Sequence, residues 1–290
     1  MSASIIDGKA IAAAVRSEVA ERVAALKARG ITPGLAAVLV GDDPASKIYV
    51  DGKQRDCAEV GIESERIELG ADTTQDELHA VVDRLNEDPA VHGILVQLPL
   101  PPQIDVLVLH ERLSPEKDPD GLSPVNVGRM VRGEAVFLPC TPLGIVEMLV
   151  RSGVEIQHRE VTIVGRGQLV GMPLAVMLSQ KGPRGNATVT LCHTGTRDLA
   201  AHTRNAEILV VAAGRPGTVT APMVAPGAVV IDVAVNRLAD GKLVGDVDFA
   251  GVAEVAGSIT PVPGGVGPMT RAMLLVNTVT AAERLAGAAA

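Results

Sequence analysis

The chain has 290 residues, more than one compact core usually needs, so two modest domains are expected. Its hydrophobic fraction of 47% includes only two Phe, one Tyr and no Trp, which calls for a core of Val, Leu, Ile and Ala, as in sheets buried on both faces. A net charge of -8 argues against a nucleic-acid partner, because a phosphate backbone demands clustered Lys and Arg, and it leaves small molecules as the expected partners.

Cys57, Cys140 and Cys192 are far apart and form no CxxC pair, and the six His are scattered, so neither a disulfide framework nor a metal site is expected. No apolar run is long enough to span a membrane, since Glu147 interrupts LGIVEMLV and Asp232 interrupts AVVIDVAV. The opening MSASIIDGKAIAAAV has no basic segment before its apolar run and does not read as a signal peptide. A cytoplasmic protein without membrane contact is the expectation.

Along the chain, Ile11, Val15, Val19, Val23 and Leu26 recur at helical spacing between a cap at Asp7 and a stop at Gly30. LAAVLV (35–40) reads as a buried strand running into Gly41, and a second helix is predicted from near Ala45 to about Glu59. Thr74 and Glu77 form a capping box ahead of Leu78, Val81, Val82 and Leu85, and GILVQL (93–98) is a further buried strand. This alternation is the signature of a parallel α/β layer. From Leu98 to Cys140 the sequence is rich in Pro and turn formers and is expected to be loop and domain boundary. A helix over 141–153 opens a second α/β unit, with strands at 161–164, 187–191, 207–213 and 228–235 and a long terminal helix from Met269. The closing residues 286–290 are expected to fray.

The sharpest local signal is VTIVGRGQLVGMP (161–173), a buried strand entering Gly165-x-Gly167-x-x-x-Gly171 near a helix start. It is similar to a dinucleotide fingerprint with one extra residue: glycines let backbone approach a pyrophosphate, and the helix N-terminus offers N–H donors. An ordinary βα turn that happens to carry glycine is the competing reading. The next strand ends in Cys192-His193-Thr194 rather than in the Asp or Glu usual at an NAD ribose, and Thr194, Arg166 and Arg197 could contact a ribose phosphate, so NADP is favoured. Asp198 nearby, and a plainly solvated Arg197, are the opposing considerations.

In the first unit Ser46, Tyr49 and Lys53 fall at i, i+3 and i+7 of a predicted helix and share one face. An exposed Tyr and Lys on a helix are most often solvent-facing. Here the tyrosine has no other in the chain, and polar Gln97 interrupts an otherwise apolar strand, so a shared substrate is the sharper reading.

DDPASKIYVDGKQRDCAEVGI (42–62), GILVQLPLP (93–101), SPEKDPDG (114–121), TIVGRGQLVGMP (162–173) and ITPVPGGVGPMT (259–270) together resemble the successive motifs of the bifunctional methylenetetrahydrofolate dehydrogenase/cyclohydrolase family, in the family's order and over nearly the whole chain. The resemblance implies a catalytic group of Lys53, Tyr49 and Gln97, and folate contacts from Asp120, Ser46, Pro261, Val262, Pro263, Gly264 and Gly265. It implies NADP contacts from Gly165, Arg166, Gly167, Thr194 and the backbone at Val235. In this chain Gly167 and Thr194 stand where the family usually has serine, and Pro119 and Leu122-Ser123 interrupt the common DVDGFHP.

The fold so implied is α/β: two α/β lobes around a cleft, the C-terminal one a Rossmann-type parallel sheet, with a C-terminal helix returning to the N-terminal lobe. Residues 1–139 plus 270–290 would form the folate-binding catalytic domain and 140–269 the NADP-binding domain. The implied chemistry is oxidation of 5,10-methylenetetrahydrofolate with NADP, then hydrolysis of the methenyl product to 10-formyltetrahydrofolate; a homodimer and a place in purine biosynthesis are implied by the resemblance alone. A dehydrogenase without hydrolase activity and a catalytically silent NADP-binding protein are the alternatives at this stage.

Overall fold

The structure, a computed structural model, describes residues 2–288. In chain order its strands are β1 (Ser4–Ile5), β2 (Gly34–Val40), β3 (Glu63–Leu69), β4 (Gly93–Val96), β5 (Glu160–Val164), β6 (Thr188–Cys192), β7 (Ile208–Val211), β8 (Val229–Asp232), the hairpin β9 (Asn236–Arg237) and β10 (Leu243–Val244), and β11 (Ser258–Ile259). The chain divides into two compact units, one of Ala13–Cys140 with Arg271–Ala290 and one of Met1–Ala12 with Thr141–Thr270. Residues 1–12, expected in the first domain, belong to the second unit because β1 adds to its sheet, pairing in parallel with β11.

The first unit is built on a parallel three-stranded sheet in the order β3-β2-β4. β2 is buried along its whole length and its Ala36, Val38 and Val40 pack with Leu78, Val82 and Leu85 of the helix Gln75–Glu87. Each fully buried Val or Leu among these contributes roughly 1.5–3 kcal/mol. The helix starts where expected: Thr74 Oγ1 accepts from the Glu77 N–H while a Glu77 carboxylate oxygen accepts from the Thr74 N–H at 2.8 Å. The helix Pro44–Val60 begins at its cap Asp43 and ends at Gly61, whose φ of 83° is the left-handed conformation that stops a helix. Most of the last helix, Val266–Ala288, also belongs here; residues 289–290, part of the tail expected to fray, lie outside the described residues.

Two expectations are corrected in this unit. The turn-rich stretch from 98 to 140 contains the helices Val106–Arg112 and Pro124–Arg132 and the 3-10 turn Pro115–Lys117, because several of its turn formers are caps. Asp105 accepts from the N–H groups of Leu107 and Val108, and Ser123 accepts from Asn126 with Pro124 in the first turn. β3 was not anticipated: Glu-Ser-Glu-Arg-Ile-Glu-Leu is an edge strand, where charge is tolerated and discourages further pairing.

The second unit carries a six-stranded sheet, all parallel, in the order β1-β11-β8-β7-β5-β6. β6 lies on one side of β5 and the later strands on the other, so strand order reverses between β5 and β7. In a doubly wound sheet that reversal opens a crevice at the carboxyl ends of the strands. The core beneath it is aliphatic, with Val164, Leu209, Val211, Val230 and Ile259 buried.

Candidate active site and nucleotide-binding loops

In the first unit, β2 and β4 deliver the catalytic candidates. The Gln97 N–H donates to the Val38 carbonyl at 2.9 Å, continuing the ladder beyond β4 and presenting the side chain at the strand's carboxyl end. Lys53 Nζ donates to Gln97 Oε1 at 3.0 Å, and Gln97 Nε2 donates to the Leu98 carbonyl at 2.6 Å, which leaves the amide oxygen for the lysine. Lys53 is half-buried on the helix Pro44–Val60. Tyr49, one turn earlier, is 50% exposed, and Ser46 is buried with its hydroxyl donating to its own helix cap, Asp43, at 2.8 Å.

The same helix is held by a half-buried ion pair. Asp56 faces Arg271 at 3.1 Å, and a side chain at Gly52, beside Lys53, would collide with the Arg271 guanidinium. Burial pushes the Asp56 carboxyl up while Arg271 opposes it.

Asp120 sits half-buried in the turn before Gly121. The turn is fixed from several sides. Asp118 Oδ2 accepts from the Ser123 N–H at 2.7 Å and from Asn126 Nδ2 at 2.9 Å. The Pro119 carbonyl accepts from Asn277 Nδ2 at 2.7 Å and from the Cys140 thiol at 3.2 Å. Cys140 is fully enclosed, and its thiol is pushed well above the usual range by burial and by the neighbouring Asp120 carboxylate, with Lys53 pulling the other way. Lys53 is paired with Gln97, and the charges of Asp120 and Lys53 both act on the Cys140 thiol. Asn277 and Cys140 were missed, since neither stands in a recognisable motif.

The second unit builds the glycine loop from backbone contacts. A Cβ at Gly165, whose φ is 121°, would strike the Ala212 carbonyl oxygen, and one at Gly171 would strike that of Gly165; only glycine fits either place. Gly167 is exposed with open space where a side chain would be, and Arg166 beside it is exposed. The helix Gly171–Ser179 follows, and its first turn is tied back to the loop, the Met172 N–H donating to the Gly167 carbonyl at 3.1 Å and the Leu174 N–H to the Val170 carbonyl at 2.9 Å. Thr194 is exposed just beyond β6, whereas Asp198 is committed to capping the helix Leu199–Thr203 through the Ala201 N–H at 3.2 Å.

Val235 is exposed just past β8. The loop Pro261–Gly265 lies in this unit too, with Gly264 and Gly265 buried and Pro261 and Val262 half-buried. A side chain at Gly8 would strike the Gly265 backbone, and one at Gly265 would strike the Pro261 carbonyl, so neither position can carry one without moving backbone. Among the described residues no cluster of His, Cys, Asp and Glu is placed to hold a metal, and no helix is long and apolar enough to cross a membrane. All three cysteines are free and buried.

Residues 6–120 match the model of the tetrahydrofolate dehydrogenase/cyclohydrolase catalytic domain, and residues 139–286 match that family's NAD(P)-binding domain. The chain belongs to the tetrahydrofolate dehydrogenase/cyclohydrolase family. It is 56% identical over 285 residues to the bifunctional FolD protein of Bordetella petrii, covering 98% of this chain and 96% of that protein. Among solved structures, the Campylobacter jejuni FolD enzyme superposes with a TM-score of 0.94 at 46% identity, covering 97% of this chain and 99% of that one. The Trypanosoma brucei methylenetetrahydrofolate dehydrogenase-cyclohydrolase, complexed with NADP and an inhibitor, superposes with a TM-score of 0.93 at 43% identity and 98% coverage of both chains. As a tetrahydrofolate dehydrogenase/cyclohydrolase, the protein is a bifunctional enzyme of folate one-carbon interconversion with an NAD(P)-binding domain.

Proposed function

We propose that this enzyme oxidises 5,10-methylenetetrahydrofolate with NADP and hydrolyses the resulting methenyl compound to 10-formyltetrahydrofolate, with Lys53 as the acid/base of the hydrolytic step. The observation that carries the assignment is the hydrogen bond from Lys53 to Gln97, which fixes the amine at the carboxyl end of β4. Bound NADP supplies the acceptor for the hydride that leaves the methylene carbon. Gly165, Arg166, Gly167, Thr194 and the backbone at Val235 hold it, with Thr194 and Arg166 meeting the ribose phosphate. Beyond β6 the chain carries Thr194 where an NAD site would end in Asp or Glu, and Asp198 directs its carboxylate at the Ala201 N–H as a helix cap.

Oxidation leaves a methenyl cation delocalised over two nitrogens. Lys53 takes a proton from the water that adds to this carbon and returns it to the ring nitrogen as the carbon–nitrogen bond opens, while the remaining hydroxyl proton leaves to solvent as the formyl carbonyl forms. Gln97 Oε1 aims the amine, and Tyr49 packs on the substrate ring. The Asp120 carboxylate accepts the paired N–H donors of the pterin edge, with Ser46 and the Pro261, Val262, Pro263, Gly264 and Gly265 loop completing the folate contacts. The enzyme acts as a homodimer in the cytoplasm and delivers its formyl product to purine biosynthesis.

Absorbance-followed turnover tests this reading. Reduction of NADP in preference to NAD by methylenetetrahydrofolate, with accelerated loss of isolated methenyltetrahydrofolate, is the expected result. Reduction without accelerated hydrolysis would leave a dehydrogenase alone. Sedimentation at equilibrium should give twice the chain mass; a single chain mass would remove the dimer.

A further inference from the structure

Asp246 is fully buried between the hairpin β9–β10 and the helix Phe249–Ala253, and its carboxylate is surrounded by N–H donors. One oxygen accepts from the backbone N–H groups of Ala213 at 2.6 Å and Gly214 at 2.8 Å; the other accepts from the Asn236 side-chain amide at 2.9 Å. These donors come from separate segments. Ala213 and Gly214 follow β7, Asn236 follows β8, and the two strands are neighbours in the sheet.

Asp246 is itself tied to the sheet. Its N–H donates to Asp232 Oδ1 at 2.9 Å, and the Val247 N–H donates to Asp232 Oδ2 at 3.1 Å. Asp232 is the last residue of β8 and is locked in turn by its own N–H, which donates to Thr260 Oγ1 at 2.8 Å. A closed circuit therefore runs from the end of β8 through Asp232 and Asp246 to the turn after β7 and back to Asn236.

The circuit sits where the crevice needs rigidity. Ala212, next to the clamped turn, is the residue whose carbonyl presses on Gly165, and its N–H donates to the Val164 carbonyl at 2.7 Å. Asn236 adjoins Val235. A buried carboxylate is costly unless donors meet it, and here the donors belong to the two segments flanking the dinucleotide crevice rather than to the core.

We propose that Asp246 is a positioning residue for the dehydrogenase reaction, holding the Ala213–Gly214 turn and the Val235–Asn236 segment in register so that the wall receiving the nicotinamide end of NADP is formed before the cofactor arrives. The inference rests on the assignment of Val235 and the glycine loop to NADP.

Its test is a reciprocal exchange. Asn236→Asp sets one carboxylate against another, whereas Asn236→Asp combined with Asp246→Asn keeps an oxygen toward Ala213 and Gly214 and turns an amide N–H toward the relocated carboxylate. The KM for NADP and the dehydrogenase kcat are measured, alongside melting temperature and hydrolysis of isolated methenyltetrahydrofolate without nucleotide. Asn236→Asp should raise the KM for NADP about tenfold and leave hydrolysis unchanged, and the exchange should return the KM to within about threefold of wild type. An unchanged KM in Asn236→Asp would overturn the proposal. So would parallel loss of both activities and of melting temperature that the exchange does not repair, because the role would then be structural only. A wild-type enzyme that reduces no dinucleotide would instead sink the NADP assignment beneath it.

Discussion

Lys53 Nζ lies 3.0 Å from Gln97 Oε1, and the Gln97 amide nitrogen is turned away toward the Leu98 carbonyl. The glutamine is thereby fixed as an acceptor for the lysine. Gln97→Leu keeps the volume and removes that acceptor, so cyclohydrolase kcat should fall roughly tenfold or more while the KM for methenyltetrahydrofolate stays near wild type. A KM effect alone would make Gln97 a binding group.

Asn277 reaches across the first unit to donate to the carbonyls of Pro119 at 2.7 Å and Leu138 at 3.0 Å. Asn277→Ala removes this donor from the part-buried Leu138 carbonyl and leaves the buried Pro119 carbonyl with the Cys140 thiol. A stability loss of about 3 kcal/mol in urea unfolding is expected, together with a raised KM for folate. Stability loss with an unchanged folate KM would detach Asn277 from the site.

Gly165→Ala places a methyl group against the Ala212 carbonyl and forces a backbone with φ of 121° on a residue that resists it. Dehydrogenase kcat/KM for NADP should drop about a hundredfold, while hydrolysis of added methenyltetrahydrofolate persists. Equal loss of both activities would point to misfolding rather than to a nucleotide loop.

Burial pushes the Asp232 carboxyl up to about 7, against the N–H donors of Asp246 and Val247. The folded protein then holds this proton at pH values where the unfolded chain, titrating near the ordinary value of 3.8, has released it. The resulting stabilisation is complete below that unfolded value and is lost as pH rises through about 7. The stability difference between wild type and Asp232→Asn should therefore shift toward the variant between pH 4 and pH 7, within about that window. A pH-independent difference in chemical unfolding would refute the raised value.

Much of the fold was legible because helix signals are local. Asp7, whose carboxylate accepts from the Lys9 N–H at 2.9 Å, and the Thr74–Glu77 box mark helix starts within a few residues. β2 and β7 read as strands because both faces are buried and the runs are apolar throughout, and β5 because Val161–Val164 is buried and β-branched. β3 was illegible because an edge strand needs only a partner, not an apolar sequence. The helices Val106–Arg112 and Pro124–Arg132 hid among turn formers that serve as their caps.

At the candidate site, Lys53 and Gln97 could be singled out because a polar residue in an apolar strand and a Tyr–Lys pair on one helix face are visible one residue at a time. The contacts that arrange them could not. Asn277 and Pro119 are 158 positions apart, and Asp246 meets Asn236 only through the turn of a hairpin. Such long-range pairings leave no periodicity to read. The placement of β1 beside β11 is of the same kind.

The most direct test of the central claim is Lys53→Ala assayed for both activities on the same preparation. Hydrolysis of methenyltetrahydrofolate should fall by about a hundredfold or more, with NADP binding and melting temperature unchanged. Wild-type hydrolysis in this variant would show that the proton is moved by another group and would contradict the assignment of Lys53.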